Sequence, residues 1–142
     1  MSDDIQAIEV LKAKYARYAD EVFRSGGSAA AATALADLFT DDAVLDLGPF
    51  GRYVGRTQLL NAFQTTLPAA TAWSTHYIVS PIINVSSHEA TGDWYFLIYL
   101  VPKVPAHSPV STINGGYKDK YVEDHGQWKI KETISLFFLP PT

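Results

Sequence analysis

Cysteine is absent from the 142 residues of this chain, which excludes a disulfide framework, a thiol nucleophile and a cysteine-held metal. Positive charge is also in short supply: 11 Lys and Arg stand against 15 Asp and Glu, for a net charge of −4. Nucleic-acid binding calls for a basic face, and this balance argues against it. Long hydrophobic runs are missing too. The longest, Trp94 to Val101, is far too short to span a bilayer. The acidic opening Asp3-Asp4 runs straight into an amphipathic segment, not into the basic and then apolar stretch of a secretory leader. A cytoplasmic location and no membrane partner are therefore expected. No glycine-rich phosphate loop follows a strand, no G-x-S-x-G elbow occurs, and no histidines and carboxylates share metal-ligand spacing on one element. The expectation is a protein with no cofactor and no metal.

Aromatic residues, by contrast, are plentiful: 8 Tyr, 7 Phe and 3 Trp make 13% of the chain. A core absorbs Phe and Trp readily, but a buried Tyr hydroxyl needs a partner. This many tyrosines in one small domain points to a pocket or an interface. With 47% hydrophobic residues and a length suited to one core, the chain reads as a single domain over residues 1–142.

Ile5, Ile8, Leu11, Tyr15, Tyr18 and Val22 recur at steps of three and four, which predicts an amphipathic helix over residues 4–24. Gly26 and Gly27 end it, and Ser28 caps an alanine-rich second helix running to about Phe39. Asp41-Asp42 reads as a turn before a short strand, Ala43 to Leu47. Gly48 to Gly51 is a further turn and Arg52 to Val54 a second short strand. A third helix is predicted from Thr57 to about Thr66, closed by Pro68. The period then changes to two. Residues 73–85, 89–101, 112–123 and 127–138 read as four long strands joined by two compact hairpin turns and one proline-stiffened loop. Three N-terminal helices packed in a strongly curved, mixed but mainly antiparallel sheet make an α+β fold, with the long strands closing into a cone-shaped barrel around an interior pocket.

Several polar residues fall where the pattern predicts burial. Asp20 follows Tyr15, Tyr18 and Ala19 and precedes Val22 and Phe23. It either turns to solvent beside Arg17 or Arg24, or it is buried and must be paired. His76 shares a strand face with Ser74 and Ile78, while Trp73, Thr75, Tyr77 and Val79 point the other way. An aspartate within reach would fix its tautomer and stabilise the imidazolium formed on proton abstraction. Spacing alone does not bring Asp20 and His76 together. Tyr117, Asp119 and Tyr121 alternate with Lys118 and Lys120, so the lysines face solvent and Asp119 faces inward. His88, His107 and His125 fall in turns or the long loop and read as surface.

The whole pattern resembles the SnoaL-like branch of the nuclear transport factor 2-like superfamily. The resemblance is carried by Leu11 to Asp20, Leu38 to Val44, Gly48 to Arg56, Thr75-His76-Tyr77, Tyr117 to Tyr121 and Gly126 to Ile130. It implies a cone in which the first helix and the sheet enclose an apolar pocket, commonly in a homodimer. Members resembling scytalone dehydratase, the bile-acid dehydratase and hexachlorocyclohexane dehydrochlorinase use an aspartate of the first helix and a histidine of the first long strand, positions that Asp20 and His76 match. The bile-acid type places a tyrosine five residues before the aspartate, which is Tyr15 here; on a helix that offset is about 140° of rotation, so the two side chains flank the pocket. The dehydrochlorinase has a lysine in place of Tyr15 and an arginine near Thr133, so chloride elimination is not implied.

The resulting expectation is a cofactor-independent lyase of dehydratase type acting on a small apolar or aromatic ring compound. His76 is its base, Asp20 and Tyr15 assist it, and Tyr18, Tyr53, Tyr117 and Asp119 are candidate ligand contacts. Two alternatives stand beside it. A ketosteroid-type isomerase would take a carboxylate base from the sheet, for which Asp119 is available. A non-catalytic small-molecule-binding or protein-interaction domain would have a pocket without an Asp20–His76 hydrogen bond.

Overall fold

The computed structural model describes residues 2–139. Helix α1 (Ser2–Arg24) buries Ile8, Leu11, Tyr15, Ala19 and Val22, the stripe that its periodicity demands. It ends at Gly26 and Gly27, both in the left-handed region at φ 69° and 82°. At Gly27 glycine is required twice over, because a Cβ there would lie 2.4 Å from the Gln64 carbonyl oxygen. Ser28 then caps α2 (Ala29–Ala36), its hydroxyl accepting from the Ala31 amide at 3.1 Å.

Helix α2 stops earlier than its alanine content suggests. Phe39 is already in β1 (Phe39–Asp46), opposite Ile130, and the Ile130 amide donates to Leu38 O at 2.9 Å. Strand pairing here outweighs local helix propensity. Asp41-Asp42 is not a turn but lies where the β1 register shifts, between Phe39 and Val44. After a short 3₁₀ turn (Gly48–Phe50) and β2 (Arg52–Val54), the third helix runs from Gly55 to Ala70 in three pieces. These are α3 (Gly55–Asn61), one π-type turn (Ala62–Thr66) and α4 (Leu67–Ala70). Pro68 therefore does not close this helix. It occupies the first turn of α4, where a missing N–H is tolerated.

Four long strands follow: β3 (Thr71–Ser86), β4 (Glu89–Pro102), β5 (Ser111–Asp124) and β6 (Gln127–Phe137). The six strands form one sheet in the order β2-β1-β6-β5-β4-β3, antiparallel throughout except for the β1–β6 pair. The α+β class and the mixed sheet agree with the sequence pattern, but the barrel does not close. β2 and β3 are opposite edges with no pairing between them, and α1 packs against β3. Alternation along β4 sorts Ala90, Trp94, Phe96, Ile98 and Leu100 to the helix-covered face and Tyr95 and Tyr99 to the exposed one. The core lies between that inner face and the helices.

Candidate active site

Asp20 is in the last turns of α1 and His76 is near the start of β3, and the packing of these two elements joins them. His76 Nδ1 lies 2.6 Å from Asp20 Oδ1, with both side chains almost fully buried. The same carboxylate accepts from the Ser74 hydroxyl at 2.9 Å and from the His76 backbone N–H at 3.2 and 3.3 Å. The buried carboxylate thus has three donors, which is what makes its burial tolerable. Because Asp20 only accepts, the neutral imidazole carries its proton on Nδ1 and leaves Nε2 as a free acceptor.

His76 borders a cavity of about 80 Å³ whose other walls are almost entirely apolar, among them Val22, Leu45, Phe63, Ile98 and Ile113. Asp20 is not among its lining residues. The carboxylate engages the ring through Nδ1 and is not itself part of the cavity wall. Polar groups at the cavity besides His76 come from Ser74, Thr71, Tyr15 and Tyr117. Tyr15 is edge-on to His76 at 6.4 Å between centroids and edge-on to Tyr117 at 5.9 Å. Burial raises both phenols well above the ordinary tyrosine value, and the Asp119 carboxylate adds to this; for Tyr117 the neighbouring Tyr15 contributes as well. They are therefore neutral donors at physiological pH. Of the lining residues, Leu47, Phe50, Leu67 and Phe137 are half-buried.

The remaining sequence candidates fall elsewhere. Tyr18 is half-buried and packs on the core without lining the cavity. Tyr53 spends its hydroxyl on Phe50 O at 2.7 Å and also stays outside the lining. Asp119 does face inward, but outside the cavity lining, where it is taken up by Lys12 and Tyr121. Thr133 is buried on β6 opposite Asp119 and does not line the cavity either. His88 and His125 are surface residues, as their turn positions suggest.

Two residues were not singled out by the sequence pattern. Ser74 follows from alternation, being two residues before His76 on the same face. Lys12 is the larger surprise: its side chain is fully buried, and its ammonium is 2.9 Å from Asp119 Oδ2. The signal was present, since Lys12 falls four residues after Ile8 and three before Tyr15, in the apolar stripe of α1. Among the described residues no cluster of His, Asp and Glu could hold a metal, and no helix is long and apolar enough to cross a membrane.

A model of the SnoaL-like domain matches residues 1–134. The chain belongs to the SnoaL-like family. A solved structure from Novosphingobium aromaticivorans, described as a candidate aromatic ring hydroxylase, is 26% identical at a TM-score of 0.85, covering 100% of this chain and 94% of that one. A second from the same organism, described as a candidate scytalone dehydratase, is 22% identical at 0.82, with 100% and 91% covered. A type 2 hexachlorocyclohexane dehydrochlorinase is 19% identical at 0.83, with 99% and 89% covered. A nuclear transport factor 2-like superfamily protein from Salmonella enterica lies further out, at 16% identity and 0.77. These likenesses establish the SnoaL-like, nuclear transport factor 2-like fold. No curated protein matches the sequence closely enough to count as a relative.

Proposed function

We propose that this SnoaL-like protein is a lyase of dehydratase type that needs no cofactor and acts on a small, largely apolar ring compound bearing an oxygen function. The observation that carries this reading is the placement of the His76 ring between the Asp20 carboxylate and an apolar cavity. His76 Nε2 takes a proton from a carbon next to a carbonyl. The freed electron pair forms the new double bond and expels the neighbouring hydroxyl, which accepts a proton from Tyr15 and departs as water. Asp20 offsets the imidazolium charge that develops. General base catalysis of this kind contributes roughly 10²–10⁴ in rate, and a dry, low-dielectric site strengthens each of these interactions.

Similar folds bearing dehydratase and dehydrochlorinase descriptions favour elimination chemistry, since both reactions remove a proton and an adjacent leaving group. An isomerase with a sheet carboxylate as base is less well supported, because Asp119 is engaged by Lys12 and Tyr121 and lies outside the cavity lining. A purely binding module has no use for a carboxylate that fixes a histidine tautomer at the cavity wall. The cavity is smaller than the roughly 150 Å³ that admits benzene, so ring binding requires lining side chains to move apart. The test is to screen cyclic β-hydroxy ketones for loss of water by mass spectrometry and then to repeat the turnover with His76→Ala. Turnover that survives this substitution undamaged would rule the reading out.

The same reading includes self-association into a homodimer. The exposed sheet face carries Tyr77 and Val79 at 51%, Tyr95 at 58% and Phe138 at 57% exposure, with Trp73, Tyr99 and Leu136 beside them. A fully buried aromatic side chain removes about 150–250 Å², so at roughly half exposure these residues together present a patch at the upper end of the few hundred Å² usual on a monomer, which a second copy would cover. Rim pairs of both signs, Lys118 with Asp93 and Lys120 with Glu132, suit a surface that meets its own copy. Sedimentation should give a dimer at micromolar concentration, and the double variant Tyr77→Arg/Tyr99→Arg a monomer.

A further inference from the structure

Strand β3 begins with an irregularity that its later alternation does not foretell. Thr71 pairs with Pro102 and Trp73 with Val101, so two residues of β3 stand against one of β4, and Ala72 is the extra one. Strict alternation would put Thr71 on the open face with Trp73, which is 40% exposed. The bulge moves it to the covered face. Thr71, Ser74 and His76 lie opposite Pro102, Leu100 and Ile98, alternate residues of β4, and all three line the cavity. Bulges recur beside active sites, where they re-aim a side chain.

The side chain re-aimed here is polar, and the fold makes no use of it. Thr71 is 7% exposed, and its backbone N–H closes α4 by donating to Leu67 O. No group among the described residues hydrogen-bonds its hydroxyl. That oxygen is nonetheless not one of the sealed, unpartnered atoms of the core, which belong to Lys12, Asp119 and Thr133, so it still touches open space. Ser74, by contrast, spends its hydroxyl on Asp20. Among the described residues the lining holds no lysine, arginine, aspartate or glutamate. A polar group that meets Thr71 there is therefore uncharged, because a buried charge without a partner is too costly.

We infer that Thr71 is a specificity-determining residue whose hydroxyl pairs with a second, uncharged oxygen of the ligand, remote from His76. Thr71 and His76 face Pro102 and Ile98, four positions apart on β4, a distance of about 13 Å along the strand. A ligand that meets both residues carries its oxygen functions at opposite ends. A threonine hydroxyl both donates and accepts, so a ligand hydroxyl or carbonyl satisfies it. Thr71's role rests on the proposed function only in taking the cavity as the ligand site; no elimination need occur there.

The test measures binding without turnover. The probes are a naphthol and the naphthalenediol that adds a second hydroxyl at the far end of its two rings, each titrated by its own fluorescence. The parent protein is compared with Thr71→Val, which keeps the shape and removes the hydroxyl, and with Thr71→Ser, which keeps the hydroxyl. The preference for the diol over the naphthol is expected to fall about tenfold in Thr71→Val, the net effect of losing one hydrogen bond, and to persist in Thr71→Ser. The Thr71→Val protein should melt within about two degrees of the parent, since no bond inside the fold is lost. A larger fall would mean that the hydroxyl is bonded within the fold, and would overturn the inference. An unchanged preference in Thr71→Val, or no binding of the diol by the parent protein, would overturn it as well. A protein that dehydrates nothing yet shows the Thr71-dependent preference loses only the lyase reading. One whose turnover needs His76 but whose preference ignores Thr71 loses only the second oxygen contact, so the two failures are distinguishable.

Discussion

Asp20 holds His76 twice, through the imidazole Nδ1 at 2.6 Å and through the backbone N–H of the same residue at 3.2 Å. The carboxylate thereby fixes the β3 backbone and the ring that projects from it as one unit. Asp20→Asn keeps the shape but removes the charge that balances an imidazolium, so we expect kcat to fall at least about 10²-fold. Asp20→Ala also strands three donors, and we expect about 2–3 kcal/mol of lost stability in urea unfolding. An Asp20→Asn protein with unchanged kcat would remove the aspartate from the mechanism.

Ser74 donates to the same oxygen at 2.9 Å and also lines the cavity. Ser74→Ala should cost about 1 kcal/mol of stability, the ordinary net worth of one such bond. Activity should fall less than tenfold, because two donors remain on the carboxylate. A loss as large as that of Asp20→Asn would mean that Ser74 itself contacts substrate.

The long strands were plain in the sequence, because period-two alternation is strong wherever one sheet face is covered and the other open. The helix–strand junction near Phe39 was not, since the alanine-rich segment favours helix and only pairing with Ile130, far along the chain, reverses it. The Asp20–His76 contact spans 56 positions. The residue pattern made it possible, and the family resemblance made it expected. Lys12 was hidden because lysine in an amphipathic helix is ordinarily a solvated residue; its burial depends on Asp119 arriving from β5. Asp119 itself was read correctly as inward, yet its partner decided that it faces Lys12 and not the cavity.

Gly115 lies mid-strand in β5, where β6 and a ring of β4 approach too closely for any side chain. A Cβ there would fall 2.0 Å from the Leu136 carbonyl oxygen and 2.8 Å from the Phe96 ring. Phe96 packs tilted on Tyr117 at 4.6 Å between centroids and meets Phe137 edge-on at 5.6 Å, so displacing it disturbs the cavity wall. Gly115→Ala should lower stability by about 3 kcal/mol or more, among the large effects expected of overpacking. A melting temperature within a degree of the parent would show that β5 and β6 yield at this point.

The three buried tyrosines set the alkaline limit of the fold. Tyr15, Tyr117 and Tyr121 are all raised above the ordinary value of 10.0, chiefly by burial. Each stays protonated in the folded chain while its unfolded counterpart ionises near pH 10, so the folded state binds more protons and stability falls as pH rises past that value. One such group contributes a slope of about 1.4 kcal/mol per pH unit, and three together about 4. Lys12 acts in the opposite sense, because burial lowers its value below 10.5. Between its folded value and 10.5 the unfolded chain holds the extra proton, so stability rises there and the onset of the decline is blunted. Above 10.5 that contribution has ended and the tyrosines act alone. Urea unfolding from pH 8 to 11.5 should show a shallow shoulder and then a steep fall, reversible on returning to neutral pH. Tyr121→Phe should remove about a third of the limiting slope. A stability that stays level through pH 11 would mean that these phenols ionise in place and are not sealed in the core.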